Sequence, residues 1–335
     1  NAAKRAFNSL MLAGLRGKNN IEFTCNNINL RHMDIYLDLG DFEKTSEFGG
    51  KGANTGNQNF GTEYEKSLAK SLQDWKNGLP VTRWADHVNM ITTAVQKKHG
   101  SILEVIATGE SDTKRPLIEQ GQNILISVGG GVTSTNIGSK VADIVLKCEK
   151  SDAYLSVKYG DTLSFFNCGV AGTGKNNLSL FPENKLKQKE IPTAGQKYLN
   201  MFGINHEDFL KIFERYQGKD AAGPSVENHL RQVSLTPSQK AALESLISSG
   251  VGMGYWMTHF DGGKLHFYEI DNRYLDDASS LIGNTIQLQY GGGNGKAKRI
   301  NMVFETKLYD FSFNIRNKSG GIYPTHSNGD YWKKH

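Results

Sequence analysis

Between Tyr64 and Cys168 the spacing of apolar residues changes from the period of a helix to that of a strand, and this change makes the chain a mixed α/β protein. Tyr64, Leu68, Leu72 and Trp75 recur at three- and four-residue intervals, which predicts a helix from Thr62. A second helix is expected over 84–97. Five short apolar runs follow, at 102–107, 124–128, 141–147, 154–159 and 162–168, each the length of a strand. Gly160-Asp161 between the last two is expected to turn a hairpin. Upstream, 2–15 reads as a helix, 21–39 as β-like and 49–60 as a Gly/Asn-rich loop.

Past Cys168 the text changes again. Residues 171–195 are polar, Lys-rich and carry two prolines, so a linker or insertion is expected. Two helices follow. Phe202, Phe209, Phe213 and Tyr216 stripe the first; the second opens with Thr236 as N-cap, Pro237 at the first helical position and Gln239 as capping partner, and stops at Gly250. Strands are expected at 265–270, 286–290, 300–308 and 311–315. The organisation expected is 1–60, a mixed α/β core at 61–170, a linker at 171–195, and a helical and antiparallel-β C-terminal lobe at 196–335.

The 335 residues are 22% charged and 38% hydrophobic, and no run approaches the roughly 18 apolar residues of a membrane helix. The 37 glycines cluster in loops without a three-residue period, which excludes collagen. Cys25, Cys148 and Cys168 are odd in number and far apart, fitting neither a disulfide framework nor paired zinc ligands. A reducing compartment is expected, and residues 1–14 read as amphipathic and not as a signal peptide. Thirty-nine basic against 34 acidic residues give a net charge of +5, which permits a polyanion partner without requiring one.

The candidate chemistry lies in three places. Glu65 falls early in the helix that begins Gly61-Thr62-Glu63-Tyr64-Glu65-Lys66, and Asp143 sits near the start of an apolar strand. Ser156 and Lys158 are two residues apart in the next strand and share one of its faces. If these strands pair, Asp143 and Lys158 converge at one sheet edge. Carboxylates of this kind hold Mg²⁺ through oxygen contacts, the metal polarises phosphate, and a lysine stabilises charge on the phosphoryl oxygens.

The Gly61-x-x-x-Glu65 helix start, the Asp143 strand and the x-x-Lys158 strand resemble the PD-(D/E)xK nuclease superfamily, most of all its Holliday junction resolvase branch. The resemblance covers about a third of the chain. It implies a restriction-endonuclease-like mixed central sheet flanked by helices, with Glu65 and Asp143 as ligands of Mg²⁺ or Mn²⁺, Lys158 as transition-state stabiliser and DNA as partner. Superfamily members carry Glu or Asp two residues before the lysine, where this chain has Ser156. The alternative is therefore a non-catalytic structural or nucleic-acid-binding protein that reuses the nuclease fold.

Further contacts to DNA are expected from the Gly/Ser loop at 129–140, in which Ser134 and Lys140 lie, and from Lys114 and Arg115 beside it. Lys296, Lys298, Arg299, Arg316 and Lys318 give the C-terminal lobe a basic surface after a Gly-rich tip. Gly169 to Asn176 has phosphate-loop spacing, but Asn176 replaces the metal-binding hydroxyl and Pro182 opposes the helix that should follow, so a Gly-rich turn is expected there. His259, His266 and His326 lack metal-ligand spacing. Residues 154–167 and 314–326 resemble segments of tailed-phage proteins, which implies the cytoplasm of a host cell or a virion as location, and a homodimer or phage proteins as further partners.

Overall fold

The structure, a computed structural model, describes residues 60–108, 115–129, 131–160, 162–172, 178–214, 230–290, 299–317 and 321–334, together with two short strands between 23 and 30. The chain divides into two compact units, Asn1–Lys66 and Ser67–His335. In the first, β1 (Phe23–Cys25) and β2 (Ile28–Leu30) form an antiparallel pair, and helix α1 (Phe60–Lys76) begins. The helix expected at 2–15 and most of the loop expected at 49–60 lie outside the described residues. Among the described residues no helix is long and apolar enough to cross a membrane.

The second unit holds two larger sheets. The first has the order β11-β10-β7-β6-β3, built from β3 (Ile102–Ala107), β6 (Ile144–Cys148), β7 (Ala153–Tyr159), β10 (Tyr255–Phe260) and β11 (Leu265–Ile270). Its pairs are antiparallel except β7 with β10, which run parallel. Helix α2 (Ala85–His99) packs near β3 and β11, burying Val88, Ile91 and Val95. The sheet is thus mixed and flanked by helices, as the change of period requires.

The second sheet is antiparallel throughout, with the order β8-β15-β14-β13-β12-β9. Its strands are β8 (Leu163–Gly169), β9 (Leu230–Ser234), β12 (Thr285–Tyr290), β13 (Arg299–Glu305), β14 (Tyr309–Asn317) and β15 (Pro324–Lys333). Strand β14 shows why one face turns inward: Tyr309, Phe311, Phe313 and Ile315 are fully buried, while Asp310, Ser312, Asn314 and Arg316 alternate with them outward. Phe165 stacks on Phe313 at 5.3 Å and Phe304 on Phe311 at 5.2 Å. These rings belong to one core that also takes in Tyr198, Leu243 and Leu246.

Several expectations change here. Residues 154–159 and 162–168 are strands but do not form a hairpin, because Gly160 passes the chain from the mixed sheet to the antiparallel one. The segment 171–195 is no linker: Leu180, Phe181, Leu186 and Ile191 are buried in the core, and a short helix, α4 (Glu183–Lys187), follows Pro182. The Phe202 stripe belongs to two helices, α5 (Thr193–Met201) and α6 (His206–Glu214), separated near Gly203, whose φ of 63° breaks the helix. Tyr216 lies outside the described residues. Val141 is helical, within α3 (Gly138–Val141), rather than the start of a strand. Strands β9, β10 and β15, the hairpin of β4 (Leu117–Gln120) and β5 (Asn123–Ile126), and helix α8 (Asn272–Ser279) were not read in full.

The second core helix, α7 (Pro237–Val251), begins as expected: the Thr236 hydroxyl accepts the Gln239 N–H at 3.3 Å and the Gln239 carboxamide accepts the Thr236 N–H at 2.8 Å. It stops at Gly252, with φ 58°, two residues beyond the expected glycine.

The end of the Gly/Ser segment at 129–140 is fastened to the chain just before β10. Ile137 N–H bonds Met253 O at 3.0 Å and Met253 N–H bonds Thr135 O at 2.7 Å. Gly138 lies so close that a Cβ there would overlap the Gly254 carbonyl, a backbone atom with no freedom to retreat. Gly138→Ala is therefore expected to lower the unfolding free energy by about 1–3 kcal/mol, measured by denaturant titration.

Candidate functional site

Strand pairing brings the central residues together. Ile144 faces Leu155 and Val145 faces Tyr154, and Asp143, one residue before β6, donates its N–H to Leu155 O at 2.8 Å. Its carboxylate turns to the neighbouring strand, where Oδ2 accepts the Val157 N–H at 2.6 Å. Lys158 Nζ lies 3.6 Å from the same oxygen. On the other side, the Thr108 hydroxyl donates to Ala142 O at 2.7 Å, which fixes the backbone that carries the acid.

Asp143, Ser156 and Lys158 line one cavity of about 220 Å³ together with Lys140, Arg115 and Ser164, against Phe165, Val251, Tyr255, Met257 and Tyr331. That is below the roughly 300 Å³ at which drug-sized ligand sites begin, and it suits a small anion with its waters. Ser156 is 3% exposed, whereas the Lys158 and Asp143 side chains are 35% and 26% exposed. An ion pair this open to water contributes only about 0–1 kcal/mol, so Lys158 can turn to an incoming anion at little cost.

The other expected residues have different fates. Glu65 is half-buried on the second turn of α1, in the first unit. Lys140 is exposed on α3, at the cavity. The Ser134 hydroxyl donates within its own loop, to Asn136 O at 3.0 Å, and is not among the cavity residues. Lys114, Lys296, Lys298 and Lys318 lie outside the described residues. Arg299 and Arg316 face each other across β13 and β14, away from the cavity lining.

Arg115, expected as a basic flank to the DNA groove, lies in the cavity lining with its guanidinium engaged by the protein. Its two terminal nitrogens donate to Gly250 O at 2.7 Å and Ser249 O at 2.6 Å, carbonyls of the last turn of α7, where a positive charge meets the negative end of the helix dipole. Its Nε is buried without a partner. Burial lowers its pKa, and a guanidinium stays charged regardless. It serves as a clamp that fixes the helix end forming the far wall.

One neighbour is a residue to which the sequence assigned no role. His259 stands beside Lys158 in the parallel register of β7 and β10, buried, with Nε2 2.6 Å from Gly160 O. That contact fixes the proton on Nε2 and leaves Nδ1 buried and unpartnered. Its strand was missed because Met257, Thr258 and His259 are buried in succession, which removes the two-residue alternation. Of the cysteines, Cys168 has its thiol pushed up to about 12 by burial, leaving no reactive thiolate at neutral pH.

No family model, curated protein or solved structure matches this chain.

The cavity's donor set bears on magnesium. Among the described residues no cluster of three or more His, Cys, Asp or Glu side chains is placed to hold a metal, and Asp143 is the one carboxylate of the cavity lining. Magnesium keeps several waters and takes one or two carboxylates alongside substrate phosphates. Asp143 with the Ser156 hydroxyl meets the lower end of that requirement, and does so only when phosphate oxygens complete the set.

Arg115→Met removes both bonds to the helix end while keeping the bulk of the side-chain stem. It is expected to cost roughly 1.5–3 kcal/mol of stability, against no measurable change for Lys140→Ala, in paired denaturant titrations. Burial also holds His87, His99 and His259 below the ordinary value of 6.5. The unfolded chain therefore takes these protons first, so the stability they contribute is intact above pH 6.5 and is lost as pH falls through that value. The thermal midpoint is expected to drop between neutral pH and about pH 5, and less steeply in His259→Gln.

Proposed function

We propose that the chain is a nuclease, a divalent-metal-assisted phosphodiesterase acting on DNA, with a restriction-endonuclease-like mixed sheet as its scaffold. The observation that carries this reading is the meeting of Asp143 and Lys158 across paired strands, 3.6 Å apart, at a cavity that admits a phosphate with its waters. The Lys158 ammonium neutralises charge that grows on the phosphoryl oxygens during attack. Lys140, exposed at the cavity, meets the backbone phosphate and fixes the strand's position without reading its sequence. Asp143, held by the Val157 amide, keeps its carboxylate directed along the strand pair. Magnesium or manganese, held by Asp143 and Ser156 with the substrate phosphate, would supply polarisation of the phosphate and an activated water.

A second reading is favoured by one residue. A hydroxyl at Ser156, where an acid would add a hard charged ligand, weakens metal binding and fits a protein that holds DNA without cutting it.

Plasmid nicking with Mg²⁺ or Mn²⁺ separates the two. Nicking by the wild type is expected, with a loss of roughly a hundredfold or more in Asp143→Ala and in Lys158→Ala. Glu65→Gln, run alongside, tests the assignment of Glu65 as a second acid. Ser156→Asp is expected to lower the metal concentration needed. DNA binding with no cleavage in either metal would replace the nuclease by the binding protein.

A further inference from the structure

The antiparallel sheet packs one face on the core, and the side chains of its other face are exposed or half-buried among the described residues. On that face the strand registers line up two rows. Arg299, Arg316 and His326 stand directly opposite one another on β13, β14 and β15. One step along the strands, Asn301, Asn314, Asn328 and Asn167 form a row across β13, β14, β15 and β8.

The basic row is costly for a free protein, because like charges directly opposite in a sheet destabilise it. Neither Arg299 nor Arg316 has an ion-pair partner among the described residues. Arg299 Nε, Asn314 Oδ1 and Asn328 Oδ1 are buried and unpartnered. The acids of this face do not relieve the arginines. Glu305 and Asp310 lie at the far end of β13 and β14, about 20 Å away at a strand's rise of roughly 3.3 Å per residue, and both are held by Lys334, at 2.7 Å and 3.4 Å; Asp330, nearer on the same face, stands opposite Ser312, four residues along β14 from Arg316. Arg299 and Arg316 thus form a cationic end of the face, bordered by amides.

We propose that this end of the sheet is a second nucleic-acid contact, separate from the cavity, in which Arg299 and Arg316 take backbone phosphates and the adjoining amides hydrogen-bond the same strand. The choice of DNA as ligand rests on the nuclease reading. Phosphate between the two guanidinium groups would convert a repulsion into two charge-assisted bonds, while carboxamides both donate and accept toward sugar and base edges.

The test is binding of a short fluorescent duplex DNA to the full chain across a salt series, without divalent metal, so that cleavage plays no part. Arg299→Ala with Arg316→Ala is expected to weaken binding equally across sequences and to reduce the slope of log affinity against log salt by about 1.8, at roughly 0.9 per phosphate contact. Arg316→Glu places an acid opposite Arg299, so it is expected to hold or raise the thermal midpoint while weakening DNA binding. That combination separates lost contact from lost folding. Unchanged affinity and slope in the double variant would overturn the proposal even if the chain cuts DNA. A reduced slope in a chain that never cuts would uphold it while removing the nuclease reading.

Discussion

Strand β7 is hydrogen-bonded along both edges, antiparallel to β6 and parallel to β10, and the site depends on that double constraint. A strand paired on one side can slip by a residue and turn its side chains to the other face. Paired on both sides, β7 fixes Ser156 and Lys158 against Met257 and His259 on one flank and against Asp143 on the other. The acid adds its own restraint: its carboxylate takes the Val157 amide, so the group that would do chemistry also helps hold the register.

The cavity is completed from a distance in sequence. Its far wall is the end of α7 and the start of β10, and Arg115, arriving from the segment before β4, ties itself to that helix end. Three cations and one carboxylate line the space, but Arg115 has both terminal nitrogens committed to carbonyls. The mobile positive charge is therefore that of Lys140 and Lys158, and the electrostatic character of the pocket is set by two lysines with one acid between strands.

Much of the local structure was legible. The heptad-like run from Tyr64, the capping box at Thr236 and the alternation from Tyr309 to Ile315 each state their element in a few residues. The pairing of the Asp143 strand with the Lys158 strand stood in the sequence as a condition, which the register of β6 with β7 meets. Long-range arrangement was not legible. Gly160-Asp161 has the composition of a hairpin turn, yet packing of Phe165 and Phe166 against Phe313 draws the next strand into another sheet. β10 lacks alternation because it is covered on both faces, and β15, with Pro324, Ser327, Asn328 and Gly329, has the composition of a loop. The role of Arg115 was hidden for the same reason: its partners, Ser249 and Gly250, are more than a hundred residues away.

The way the two sheets share the chain has a kinetic side. Val157 pairs with Thr258 and Asn167 with Asn328, so each sheet closes only after segments separated by a hundred residues or more have met. Contacts of such span demand loop-closure entropy before they return any stability, and they slow folding. The interleaving also denies independence to either half. A chain severed between β8 and β9 would leave the mixed sheet without β10 and β11, and the antiparallel sheet without its edge strand β8. The second unit is in this sense indivisible, and its cavity exists only once the last strand has been laid down.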